Sequence, residues 1–181
     1  MKKTLAPLLA FCLALSTLLA GCDPQANSNP QPTFAPIKPT YHFTTDPVRP
    51  DPETGAFQTL DEGVEWYLQD KESAKYLKGD KFFYAYRIVD IIESPDATTV
   101  YVLARCIWVN IAGQQVSGMD GPMILTFTSD VHGYYFMEMR SLDGAEFLDY
   151  PQNVLDAYKN KSSELYNQVE NAIADWLAEH H

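Results

Sequence analysis

This chain has little cysteine, little histidine and little positive charge, and each shortage closes off a kind of chemistry. Three cysteines in 181 residues, at positions 12, 22 and 106, cannot build the disulfide framework of a small extracellular scaffold. The four histidines fall at 42, 132, 180 and 181, in a proline-rich stretch, a turn and a terminus, without the ligand spacing of a zinc site. His-Glu-x-x-His, Gly-x-Ser-x-Gly and phosphate-cradling glycine loops are all missing, which removes the zincin, hydrolase-elbow and nucleotide readings. The acidic stretches 51–55 and 143–146 lack the alternating oxygen ligands of a calcium loop. Thirteen Lys and Arg stand against 24 Asp and Glu, a net charge of −11, and such a surface repels nucleic acid. These patterns assign no catalytic residue, no metal and no cofactor.

What is present starts at the N-terminus. Met1-Lys2-Lys3 is a basic start, and residues 5–19 are an apolar run, shorter than the roughly 20 residues that span a bilayer. The run ends in Leu19-Ala20-Gly21-Cys22, and the whole segment resembles a bacterial lipoprotein signal with its lipobox. That resemblance implies that the Cys22 thiol takes a diacylglyceryl group as a thioether. Cleavage before Cys22 then makes the acylated cysteine the first residue of the mature chain. Each buried methylene contributes about 0.8 kcal/mol, and two acyl chains hold where one is marginal. The expected location is the extracytoplasmic face of the cell membrane; the plainer alternatives are a signal anchor or a secreted protein with an incidental Cys22. Loss of Lys2 and Lys3 with the signal leaves 11 basic against 24 acidic residues, a net of −13. Cys106 then has no partner, and its apolar surroundings in residues 100–109 read as those of a buried small hydrophobe.

Three segments follow from composition. Residues 1–21 form the signal. Residues 22–55 form the lipidated cysteine and a tether, because eight prolines (24, 30, 32, 36, 39, 47, 50, 52) among polar residues supply no packed core. Residues 56–181 form a single α+β domain. Within it, Thr59-Leu-Asp-Glu62 is a capping box, and Leu60, Val64, Tyr67 and Leu68 recur at helical spacing. Four strand-like runs follow, at 81–92, 98–110, 122–128 and 134–142, joined by short turns that favour an antiparallel meander. Pro151 opens a C-terminal helical region interrupted at 160–163. The expected architecture is a curved antiparallel sheet of about four strands, with an N-terminal helix and C-terminal helices packed on one side.

An ordered set of short motifs carries a second resemblance. Leu60-Asp-Glu-Gly-Val64, Thr98-Thr-Val-Tyr-Val102, the run from Gly118 to Phe127, Gly133-Tyr134, Glu138 and Asp143-Gly144 together look like a small extracytoplasmic domain of Gram-positive lipoproteins and of BlaR-type membrane metallopeptidase relatives. It covers about residues 57–180, transfers no catalytic residues, and departs from the pattern at Ser141-Leu142, where a proline is expected.

Charges inside strands are the remaining candidates for chemistry: Arg87 and Asp90 in the first, Arg105 in the second, Glu138 and Arg140 in the fourth. Arg105, Glu138 and Arg140 are taken as the ligand-binding set, Glu138 and Arg140 sharing one sheet face because they are two apart. Cross-strand ion pairing is the plainer account of such charges. Strands with aromatics on both faces, as in Phe82-Phe83-Tyr84 and Tyr134-Tyr135-Phe136, leave an uncovered patch if helices shield only one face. The functional expectation is a non-enzymatic, membrane-anchored binding or regulatory module whose partner is an envelope protein, peptide or glycan. The alternatives are a small envelope enzyme with its site in the concave face of the sheet, and a purely structural envelope component. The anchor is testable directly: wild type partitions into a detergent phase, and Cys22→Ala moves it to the aqueous phase. Equal partitioning of the two would remove the lipid.

Overall fold

A computed structural model describes residues 47–141, 150–160 and 163–180. Helix α1 (Leu60–Trp66) starts where the capping box places it. The Glu62 N–H donates to the Thr59 hydroxyl at 3.2 Å, and Glu62 Oε2 accepts from the N–H groups of Thr59 and Gln58 at 3.3 and 2.8 Å. The helix then widens into a π-helical turn over Tyr67–Glu72 and closes with a 3-10 turn at Ser73–Lys75. Four strands follow in sequence order: β1 (Lys81–Glu93), β2 (Thr98–Val109), β3 (Gln115–Asp130) and β4 (Gly133–Ser141). Each pairs antiparallel with the next, so the sheet is an open meander with β1 and β4 at its edges. Register shifts between Ile88 and Asp90 and between Thr126 and Phe127 bend the strands locally, as bulges do. Helices α2 (Gln152–Lys159) and α3 (Ser163–His180) complete the domain, divided where residues 160–163 interrupt the apolar stripe.

The α+β class and the antiparallel sheet agree with expectation, but the helices divide between the two faces instead of sharing one. Val64, Tyr67 and Leu68 pack on Tyr84, Tyr86, Val100, Val102, Leu125 and Phe127. On the opposite face Leu165, Val169 and Ile173 of α3 cover Phe83, Ala85, Leu103, Ile107 and Val109. Val154 of α2 and Tyr150 cover Tyr101 and Ile124. The reason lies in β1 and β2, whose side chains are apolar on both faces; alternation then demands a layer on each side. The open aromatic face expected from the sequence is therefore filled.

Strand β3 begins seven residues earlier than its apolar run. Residues 115–121 carry two glycines and an aspartate, which reads as turn composition, yet they pair with β2 down to Gln115. Close approach explains Gly118: a Cβ there would lie 2.1 Å from the Cys106 carbonyl oxygen, and its φ is +151°. Residues 47–55, assigned by composition to the tether, are tied to the domain. The Val48 N–H donates to Gln69 Oε1 at 2.9 Å, and Asp51 Oδ1 gathers the Glu53 and Thr54 N–H groups and the Thr54 hydroxyl.

The α1 layer sits flush on the sheet because Gly63 faces the Phe127 ring, where a Cβ would come within 2.5 Å of Cε1. Gly63→Val should destabilise the domain by about 1–3 kcal/mol through overpacking, read as a lowered urea midpoint. The cost should shrink in a Phe127→Leu background, whereas an unchanged cost would place the clash elsewhere.

Candidate functional site

Arg105 projects from the middle of β2 beneath α3 and is nine-tenths buried. Its Nη1 lies 3.6 Å from Asp120 Oδ2 on the neighbouring strand, its Nη2 lies 3.3 Å from Glu170 Oε1, and its guanidinium stacks 4.3 Å from the Tyr166 ring centroid. Two carboxylates and an aromatic ring so neutralise and cover one cation that would otherwise be costly to bury. A small cleft of about 200 Å³ opens beside it, between Leu103, Asp120, Tyr158 and Tyr166.

Glu138 and Arg140 lie on the same face but on edge strand β4, with 3.9 Å between Arg140 Nε and Glu138 Oε1 and both side chains about 60% exposed. Arg105 pairs with Asp120 of β3, whereas Glu138 pairs with Thr126. Six residues of strand separate those positions, about 20 Å. The structure does not bring the three together. Asp90 is occupied too: Oδ2 accepts from Asn153 Nδ2 at 2.9 Å, pinning α2 to the β1 bulge. Cys106 is fully buried, and burial pushes its thiol well above the ordinary range, the state of an inert packing cysteine. Cys22 lies outside the described residues.

The residues that the sequence reading passed over are acidic ones on α1 and its π turn. In an α-helix residues five apart point about 140° away from each other; the π turn swings Glu72 round to Tyr67. Glu72 is buried at 2% exposure, and its carboxylate accepts from the Tyr67 hydroxyl at 2.8 Å, the Tyr76 hydroxyl at 2.7 Å and the Lys75 ammonium at 2.7 Å. Seven residues earlier Glu65 Oε1 accepts from the Tyr84 hydroxyl at 2.7 Å, and Gln69 Nε2 reaches that hydroxyl at 2.7 Å. Tyr86 donates to Asp61 at 3.2 Å. These side chains satisfy one another, so the network binds the α1 layer to the sheet and leaves little hydrogen-bonding capacity for a ligand.

A larger groove, about 470 Å³, runs along the outer edge of β1 under α3. Its floor holds Phe83 and Trp176, whose rings meet edge to face at 5.9 Å. Phe82 and Tyr84 stack at 5.9 Å on the other side of the same strand. Asp175 and Glu179 form its acidic wall. Gln168, also on that wall, keeps its Oε1 buried with no hydrogen-bond partner among the described residues. The wall residues 168, 175 and 179 recur at helical spacing beside the apolar stripe of α3, a signal visible in sequence only once the open edge is known.

No protein-family model, curated protein or solved structure matches this chain. Its chemistry therefore rests on its own residues.

Burial, first, and the carboxylates beside them hold the Tyr67 and Tyr86 phenols well above their usual value near 10. Unfolded phenols ionise near pH 10 while these stay protonated, so the native state holds more protons and stability falls as pH rises through about 10. Urea midpoints from pH 8 to 10.5 should drop, and Tyr86→Phe should flatten the slope. A midpoint that stays level would show the network open to solvent.

Proposed function

We propose that this chain is a lipid-anchored, extracytoplasmic, non-enzymatic binding module that presents the β1 edge and its groove to a polypeptide at the membrane surface. The observation that carries the reading is Cys22, placed after a basic start and a short apolar run at the end of Leu19-Ala20-Gly21. The resemblance to extracytoplasmic lipoprotein domains supports the same address. Among the described residues no helix is long and apolar enough to cross a membrane; in this reading the acylated Cys22 is the attachment.

Binding is favoured over catalysis by how the polar groups are spent. Of the strand charges, Arg105 is paired under α3, Asp90 is tied to Asn153 of α2, and Glu138 and Arg140 are exposed on β4. The groove combines aromatic surface, two carboxylates and the buried Gln168 Oε1, which has no partner among the described residues, the composition of a recognition surface.

Proximity labelling from the anchored protein in intact cells tests this. A reproducible set of envelope polypeptides should be enriched from wild type and lost from Cys22→Ala. Equal recovery from both forms, or recovery of cell-wall glycan alone, would overturn the reading.

A further inference from the structure

We propose that the outer edge of β1 takes an extended, basic peptide by strand addition, with apolar residues alternating with Lys or Arg. The inference rests on the binding-module reading above and specifies its ligand.

Three observations converge on it. The first is the edge itself. The sheet ends at β1, and among the described residues no strand pairs with its outer side, so alternate N–H and C=O groups along it face outward as a template for another strand. The other edge differs: Phe57 caps β4 through two backbone hydrogen bonds with Tyr134, both 2.8 Å.

The second observation is the pair of faces flanking that edge. A strand laid against residues 81–84 would send successive side chains to opposite sides. On one side they meet Phe82 and Tyr84, and on the other they meet Phe83, Trp176 and the α3 wall. One side rewards apolar contact; the other offers carboxylates. This alternation is what β-strand addition reads as specificity.

The third is charge and hydrogen-bond polarity. Asp175 and Glu179 are exposed and make no ion pair among the described residues, and Gln168 presents a buried acceptor oxygen without a donor. A Lys ammonium or Arg guanidinium supplies donors and positive charge at once. Lys81 at the mouth of the groove is the single opposing charge in its lining. The protein's own residues 23–46 are poor occupants by the same criterion, since they carry one lysine against two aspartates.

The test uses the full mature chain in detergent micelles and a fluorescent eight-residue peptide alternating Lys and Val, followed by anisotropy and Trp fluorescence. Binding should weaken at least tenfold when Glu replaces Lys in the peptide. N-methylation of the alternate peptide nitrogens that face β1 should weaken it as much. The double variant Asp175→Asn, Glu179→Gln should weaken it at least fivefold, while Glu53→Gln with Asp96→Asn, two exposed carboxylates remote from the groove, should leave it unchanged. Equal losses from the two double variants would reduce the effect to attraction by net charge and overturn the proposal, as would indifference to N-methylation. A photoreactive side chain at Asn171 should join the peptide. An adduct to residues 23–46, or a crosslinked homodimer that the peptide does not displace, would assign the edge to the chain itself and overturn the proposal. Anchoring is read separately by detergent partitioning and proximity labelling, so failure here with those intact removes the basic-peptide ligand alone.

Discussion

Along Thr98–Val109 all but two residues of β2 are buried, and that strand has neighbours on both sides as well as helices on both faces. Its alternate side chains, Val100, Val102, Ala104 and Cys106 one way and Leu103, Ile107 and Val109 the other, anchor two separate apolar cores. Removing water from both faces is what forces a three-layer arrangement out of a four-stranded sheet. The α1 layer must then arrive before the sheet in sequence and the α3 layer after it, since the meander itself uses no crossover. Arg105 is the exception within the strand. It survives at that depth because Asp120, Glu170 and Tyr166 surround it.

The two layers are held by different physics. On the α3 side contact is mostly apolar. On the α1 side a set of tyrosine hydroxyls meets carboxylates, with Glu72 serving two phenols and an ammonium. The π turn is the geometric condition for this, because it aligns residues five apart that an α-helix would separate. Buried polar groups of this kind add little net energy when satisfied but penalise every arrangement that leaves one unpaired. They fix the rotation of α1 on the sheet, with Gly63 fixing its height against Phe127.

Local patterns carried most of the architecture. Thr59 and Glu62 announce the start of α1, the aromatic and β-branched runs announce four strands, and the polar break at 160–163 announces either a kink or two consecutive C-terminal helices. The early half of β3 was hidden because Ser117-Gly118-Met119-Asp120-Gly121 has turn composition; only the approach of Cys106 explains why Gly118 is there. The distribution of the helices was hidden for a different reason. Two-faced apolarity shows that a second layer is needed but not which helix supplies it. Of the candidate site, Arg105, Glu138 and Arg140 could be found as charges in strands, yet their separation depends on register across three strands. Glu65 and Glu72 could not be singled out at all, since on an ideal helix Glu72 does not share a side with Tyr67.

The edges of the sheet are unequal in a way that bears on function. An unpaired edge invites association and is ordinarily blunted by charge, a bulge or a covering segment. At β4 the covering segment is the approach to α1, whose Phe57 bridges Tyr134, and Gly133 admits it because a Cβ there would meet the Phe57 carbonyl at 2.2 Å. At β1 the protection is of another kind: Lys81 at the start of the strand and the carboxylates of α3 above it. Charge repels a second copy of the same acidic chain, for which like charges would face each other across the edge, while leaving the edge open to a strand of opposite sign. On the proposal made above, repulsion of its own kind and selection of a basic partner are one device, built from the carboxylates of α3, with Lys81 opposing it.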